Sequence, residues 1–189
     1  DVSSSMVSTI TDKVYPLIEE WRARPLASVY PVVYLDGMHF KVRGNGRIIN
    51  RCSYTALGIN SEGMRDIMGI WVGETEVAKF WMTVLNDLKN RGVEDIIICC
   101  VDGLTGFPEA IRTVFPQTSV QSCVVHQVRT TLKYVPHKLK DKLAVDLRSI
   151  YTAPTEEAGH AALQAVQEKW PQFALSLRSW EDHWGELAT

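Results

Sequence analysis

Two apolar runs in this chain end alike, on a carboxylate followed at once by glycine: Val32-Val33-Tyr34-Leu35-Asp36-Gly37 and Ile96-Ile97-Ile98-Cys99-Cys100-Val101-Asp102-Gly103. Runs this apolar predict buried strands. If the two strands lie side by side, their terminal carboxylates repel unless a cation sits between them. Oxygen-only ligation with open water positions suits Mg²⁺ or Mn²⁺. A pair of such ions activates a water or a 3′-hydroxyl and stabilises the leaving oxygen of a phosphodiester. The alternative makes Asp36 and Asp102 turn residues, since Asp-Gly is a frequent turn dipeptide.

A second constellation is Cys123-Val124-Val125-His126. Cys-x-x-His is half of a zinc site, but no second pair at zinc spacing accompanies it, and His137, His160 and His183 are scattered. Set at a strand end, Cys123 and His126 could instead stand beside the carboxylates and orient substrate or scaffold the site. The plainest alternative is a core cysteine followed by a histidine at a helix start.

The elements that must position these residues follow from periodicity. Ser3 to Arg24 predicts a helix, capped by serine, apolar at three- and four-residue steps and stopped at Pro25. Tyr30 to Asp36 predicts strand one. His39 to Arg43 and Arg47 to Ile59 predict a hairpin turning at Gly44-Asn45-Gly46, and Met64 to Trp71 a third strand. Thr75 to Arg91 reads as a helix with Thr75 as cap, an apolar face from Val77 to Leu88, and Gly92 as stop. Asp95 to Val101 predicts strand four, buried on both faces; Phe107 to Phe115 a short helix; Ser119 to Cys123 strand five. From Val124 to Trp184 helical periodicity dominates, interrupted near Pro136, Pro154 and Trp170-Pro171. The helix from Thr75 to Arg91 makes the crossover that sets strand four parallel beside strand one. The predicted fold is therefore α/β: a ribonuclease H-like mixed sheet, three antiparallel strands then two parallel, with an all-helical insertion after strand five.

Composition narrows the classes. A chain of 189 residues, 46% hydrophobic and 22% charged with net charge −2, can bury a core and is not disordered. No apolar run reaches the roughly 20 residues that span a membrane, and the start lacks a secretory signal. The missing initiator Met suggests a piece of something longer. Cys52, Cys99, Cys100 and Cys123 make no disulfide framework and read as reduced thiols in a cytosolic protein. Charge is segregated. Lys41, Arg43, Arg47 and Arg51 fall in a stretch without acids, and Arg129, Lys133, Lys138, Lys140, Lys142 and Arg148 crowd the first helical segments. The tail is acidic, with Glu156, Glu157, Glu168, Glu181, Asp182 and Glu186 read as a solvated face. Basic patches offset by an acidic segment still offer a positive surface to a phosphate backbone.

Three ordered stretches carry a resemblance: Tyr34-Leu35-Asp36-Gly37; Val101-Asp102-Gly103-Leu104-Thr105-Gly106-Phe107-Pro108-Glu109-Ala110-Ile111; and Cys123-Val124-Val125-His126-Gln127-Val128-Arg129. Together, over nearly the whole chain, they resemble the Mutator-type bacterial insertion-sequence transposases. The resemblance implies a DDE transposase that hydrolyses phosphodiesters and transfers strands with two Mg²⁺ (or Mn²⁺) ions. Asp36 carries over as the first catalytic and metal-binding carboxylate and Asp102 as the second, with Cys123 and His126 as the family's Cys-x-x-His signature. It also implies DNA partners (terminal inverted repeats and target), a homo-oligomer on paired ends, no membrane, and a cytoplasmic, nucleoid-associated location. Lys41, Arg43, Arg47, Arg129 and Lys133 are the candidate phosphate contacts. Residues 1–27 then read as the end of an upstream DNA-binding region and linker, 28–126 as the catalytic core, and 127–189 as the helical insertion.

One departure matters. The family's third acid, a glutamate in an Asn-Ala-Ile-Glu-type helix, has no counterpart here, and its place is expected beyond Thr189. Two other readings follow. The segment could be a non-catalytic DNA-binding or oligomerisation fragment, with Trp170, Trp180 and Trp184 on an interaction surface. It could instead be a ribonuclease H-like nuclease unrelated to transposition.

Overall fold

A computed structural model describes residues 3–44, 46–73, 78–102 and 106–187. Asn45 of the predicted turn, the Thr75 cap, Val77, and Gly103-Leu104-Thr105 of the second motif lie outside the described residues.

The N-terminal helix α1 (Ser4–Ala23) begins where the Ser3 hydroxyl accepts from the Met6 N–H at 3.2 Å and ends before Pro25. Two long strands follow, β1 (Val29–Gly44) and β2 (Arg47–Ile59), then β3 (Arg65–Gly73). Helix α2 (Ala78–Asn90), β4 (Asp95–Val101), α3 (Phe107–Val114) and β5 (Ser119–Ser122) complete the sheet region. Five further helices make up the rest: α4 (Val124–Lys133), α5 (His137–Tyr151), α6 (Glu156–Lys169), α7 (Ala174–Asp182) and α8 (Trp184–Leu187), with a 3₁₀ turn at Pro171–Phe173.

The five strands form one mixed sheet in the order β3-β2-β1-β4-β5. β2 is antiparallel to both β1 and β3, while β4 runs parallel to β1 and β5 parallel to β4. This is the expected strand pattern. The expected break after Asp36 is absent: β1 runs straight through it, with Asp36 opposite Thr55 and Gly37 opposite Tyr54. The ladder with β2 keeps the backbone extended after β4 has ended. Since β3 pairs only with Cys52–Ile59 and β4 only with Val29–Leu35, the outer part of the β1–β2 hairpin leaves the sheet as a two-stranded arm.

One face of the sheet carries the main core. Val33, Leu35, Tyr54, Ala56, Cys99 and Val101 are buried there under Trp81, Leu85 and Leu88 of α2 and Phe107 and Ile111 of α3. Aromatic rings knit the layers: Trp81 lies 3.9 Å from Phe107 between centroids and meets Tyr54 edge-on at 4.8 Å. Gly58 is obligatory, because a side chain there would strike the Tyr30 ring. Gly92, at φ 108°, ends α2 in the left-handed region. The other face stays open among the described residues. Tyr34, Ile67, Ile70, Val72 and Ile97 are exposed along it. The expectation that β4 is buried on both faces therefore fails at Ile97, which is 51% exposed.

The C-terminal helices enclose a second core of Leu143, Leu147, Leu163, Val166, Leu177 and Trp180. Trp170 and Trp180, expected on an interaction surface, are buried here at 7% and 1%. The Trp180 indole N–H donates to Thr131 Oγ1 at 2.9 Å, and that of Trp170 to Asp146 at 2.7 Å. Helical periodicity alone does not say which face of such a helix will meet another. No helix among the described residues is long and apolar enough to cross a membrane.

Candidate active site

The parallel register sets the two acids at one level. Leu35 stands opposite Val101, so Asp36 and Asp102 are the next residues along adjacent strands, and strands in a sheet lie about 4.8 Å apart. β5 adds the third wall. Val101 pairs with Ser122, and the Cys123 N–H donates to the Val101 carbonyl at 2.6 Å. The chain then turns directly into α4, whose first turn carries His126.

This route brings three of the four predicted motif residues into one cleft and ties the fourth to it. Asp102, Cys123 and His126 line a cavity of about 170 Å³. Asp36 joins it through His126, whose Nε2 is 3.4 Å from Asp36 Oδ1. The Asp36 carboxylate is about half exposed and the imidazole about one third. Behind them, His126 Nδ1 is buried without a hydrogen-bond partner among the described residues. The Cys100 thiol is pushed up, first by burial and then by the neighbouring Cys123, so it stays protonated and is a poor ligand. All four cysteines are free.

Other wall residues were not singled out from the sequence. Gln127, Thr130, Ser179 and His183 face the same cavity. The Gln127 amide donates to Ser179 Oγ at 2.7 Å, and His183 Nδ1 lies 2.9 Å from the Ser179 carbonyl. Nothing local marks them, because they come from α4 and the end of α7, brought together by the second core. Glu186 also departs from the expected solvated face. It is partly buried and accepts from Ser122 Oγ at 2.9 Å, at the end of β5.

The basic candidates divide into two sets. Lys41, Arg43 and Arg47 lie on the protruding β1–β2 arm, all exposed. Arg129 and Lys133 lie on the exposed side of α4, a turn or two beyond His126.

The donor set is two carboxylates with an imidazole beside one of them. Among the described residues no group of three His, Cys, Asp or Glu side chains is arranged to hold a metal ion. Carboxylate oxygens are the donors that hard divalent cations take.

The full chain, residues 1–189, matches the family described as Transposase, Mutator family. It is 45% identical over 186 residues to the transposase for insertion sequence element ISRM3 of Rhizobium meliloti (strain 1021), covering 97% of this chain and 46% of that protein. It is 40% identical over 189 residues to a probable transposase for an insertion sequence element of Corynebacterium diphtheriae, covering 97% and 54%. With the transposase for insertion sequence element IS256 in transposon Tn4001 of Staphylococcus aureus it shares 31% identity over 151 residues, 79% of this chain and 39% of that one. The chain thus spans about half the length, or less, of these curated relatives. A chain in the cryoEM structure of the simian T-cell lymphotropic virus intasome in complex with PP2A regulatory subunit B56 gamma aligns over 74% of this chain and 49% of its own. Its identity is 13% and its TM-score 0.38, a likeness too loose to fix the fold. With the family matched from end to end and close relatives named as insertion-sequence transposases, the chain belongs to the Mutator family of transposases.

Proposed function

We propose that this chain is the metal-dependent catalytic core of a DDE transposase, which hydrolyses phosphodiesters and transfers DNA strands at the ends of its element. The observation that carries the reading is the register of β1 and β4, which puts Asp36 and Asp102 at one level with His126 folded over them. The strand order and directions support a ribonuclease H-like core.

Asp36 and Asp102 are the residues that would hold Mg²⁺ or Mn²⁺, two ions in all. Ions held there would supply activation of a water or 3′-hydroxyl and stabilisation of the leaving oxygen. The protein's own work is positioning. His126 fixes the rotamer of the half-exposed Asp36 carboxylate, as outer partners of metal ligands do. The Cys123 N–H bond to Val101 pins the start of α4 against the strand that leads into Asp102. Lys41, Arg43 and Arg47 on the arm, with Arg129 and Lys133 on α4, hold phosphates and set the register of DNA over the carboxylates. A two-stranded ribbon has the width to enter a major groove.

The test is cleavage of a terminal-repeat duplex by the full-length protein in Mg²⁺. Wild type is expected to nick at the repeat end and Asp102→Asn to leave the duplex intact; strand joining by Asp102→Asn would defeat the assignment.

A second reading, a non-catalytic DNA-binding or oligomerisation fragment, is favoured by α1. Met6, Val7, Ile10, Val14, Leu17 and Ile18 are all exposed on it, an apolar stripe fit for a second copy on paired DNA ends. The two readings coexist if the same chain both pairs and cuts.

A further inference from the structure

Helix α4 carries more than His126. Thr130 lies one turn further on, and Tyr134, at the C-cap, continues the same stripe at four-residue spacing. Ser176 and Ser179 of α7 face this stripe. Beside the cleft that holds Asp102 and His126 lies a larger groove of about 580 Å³ between the two helices, with Thr130 and Ser179 in the wall of both. The groove is apolar where it meets solvent. Tyr134 is 67% exposed and Leu175 88%, with Phe173 half-buried beside them. No acidic residue lines it. Cations stand at its rim: Lys133 Nζ is 5.8 Å from the centroid of the Tyr134 ring, and Arg129 is exposed a turn earlier.

An accessible aromatic face beside a lysine is the combination that holds a base by its π-face and its phosphate by charge. The wall shared with the carboxylate cleft adds a ruler for a strand laid along α4. Eight helical residues from His126 to Tyr134 span about 12 Å, and one strand of a duplex rises about 3.4 Å per nucleotide. A strand whose phosphodiester reacts at Asp102 therefore passes Tyr134 roughly three nucleotides away.

We propose that the groove between α4 and the Pro171–Phe173 turn with the start of α7 receives an unstacked nucleobase of the DNA strand held in the Asp102–His126 cleft, about three nucleotides from the reacting phosphate. Tyr134 stacks on the base, Phe173 and Leu175 close over its other side, and Lys133 takes the adjoining phosphate. Gln172 and Ser176 supply polar groups to the base edge. The inference rests on the reading of the chain as a DNA-processing core. Its function is to hold the strand in a deformed, fixed path while the carboxylates act.

The test uses full-length protein and terminal-repeat duplexes with 2-aminopurine substituted singly at successive positions. Wild type is expected to raise the fluorescence at one or two positions about three nucleotides from the cleavage point. Tyr134→Ala should abolish that rise and weaken binding by roughly 5- to 100-fold, and Tyr134→Trp should keep it. Leu175→Ser, at a still more exposed position, should reduce the rise without altering the fold, as checked by thermal unfolding of both variants. A protein that binds and cleaves the repeat yet shows no position-specific rise, or a Tyr134→Ala variant that retains it, overturns the groove assignment while leaving the transposase reading in place. Failure to bind or cleave the repeat at all overturns both. A Tyr134→Ala variant that keeps the fluorescence but loses its oligomeric state would identify the groove as a subunit contact.

Discussion

His126 Nε2 lies 3.4 Å from Asp36 Oδ1, joining the first turn of α4 to the middle of β1. The contact exists because β5 ends beside Val101 and hands the chain straight into a helix. Replacing His126 by Ala or Gln should leave the fold intact and lower strand cleavage by roughly 10- to 100-fold, the usual effect of losing an outer partner of a metal ligand. Cleavage rates at saturating Mg²⁺, beside a Mg²⁺ titration, measure it; an unchanged rate and an unchanged titration would assign His126 to packing alone.

Asp36→Asn and Asp102→Asn should each reduce cleavage and joining to background while preserving the thermal unfolding midpoint, since Asn is nearly isosteric with Asp. Chelation of the divalent ion should have the same effect on wild type, reversed on adding Mg²⁺ or Mn²⁺.

The β1–β2 arm is expected to act through charge. Each of Lys41→Ala, Arg43→Ala and Arg47→Ala should lower the slope of log affinity against log salt by about 1, with little change in preference between DNA sequences. Binding isotherms at several salt concentrations check this. A slope equal to wild type in the triple variant would remove the arm from the interface.

Asp146 gives the helical unit a pH dependence. Its carboxyl is held below the usual 3.8, chiefly by the hydrogen bond from Lys169, opposed by burial and helped by the Trp170 indole N–H. A depressed carboxylate adds stability that is full above its unfolded value and lost as pH falls through its folded one. Stability should therefore decline from about pH 5 toward pH 2, and less steeply in Asp146→Asn. Asp146→Ala, which strands the Trp170 N–H, should cost about 1–3 kcal/mol by urea unfolding at neutral pH.

A buried bond behind the cleft offers a further check. Thr131→Val removes the acceptor of the Trp180 indole N–H at nearly constant volume and should cost about 1–3 kcal/mol. Because Ser179 sits beside Trp180, cleavage should fall with stability; full activity in a destabilised variant would separate the helical core from the site.

The strand order was readable because apolar runs, a Gly-rich turn and a single strong crossover helix leave few topologies. Asp102 and Cys123 follow directly on the ends of β4 and β5, and His126 lies in the first turn beyond, as their apolar runs suggest; Asp36 instead lies inside β1, opposite Thr55. The extension of β1 through Gly37 was not readable, since a glycine after an acid signals a turn locally and only the partner strand keeps it extended. His183, Ser179 and Thr130 were equally silent. Their place in the cleft depends on how α4 meets α7, which is fixed by Leu177 and Trp180 in a core that periodicity locates on a helix but assigns to no partner. Glu186 likewise reads as one more surface acid until Ser122 is seen beside it.

The half-covered sheet carries a practical consequence. Tyr34, Ile67, Ile70, Val72 and Ile97 form an apolar plane ending at β3, an edge strand whose outer side is unpaired in the sheet order. Arg24, Arg91 and Arg22 donate to the Ile67, Met68 and Ile70 carbonyls and blunt that edge, so it is the greasy surface that, in these 189 residues handled alone, should drive face-to-face aggregation as concentration rises. A lysine at Ile70 or Val72 is the simplest remedy for anyone who needs it dispersed.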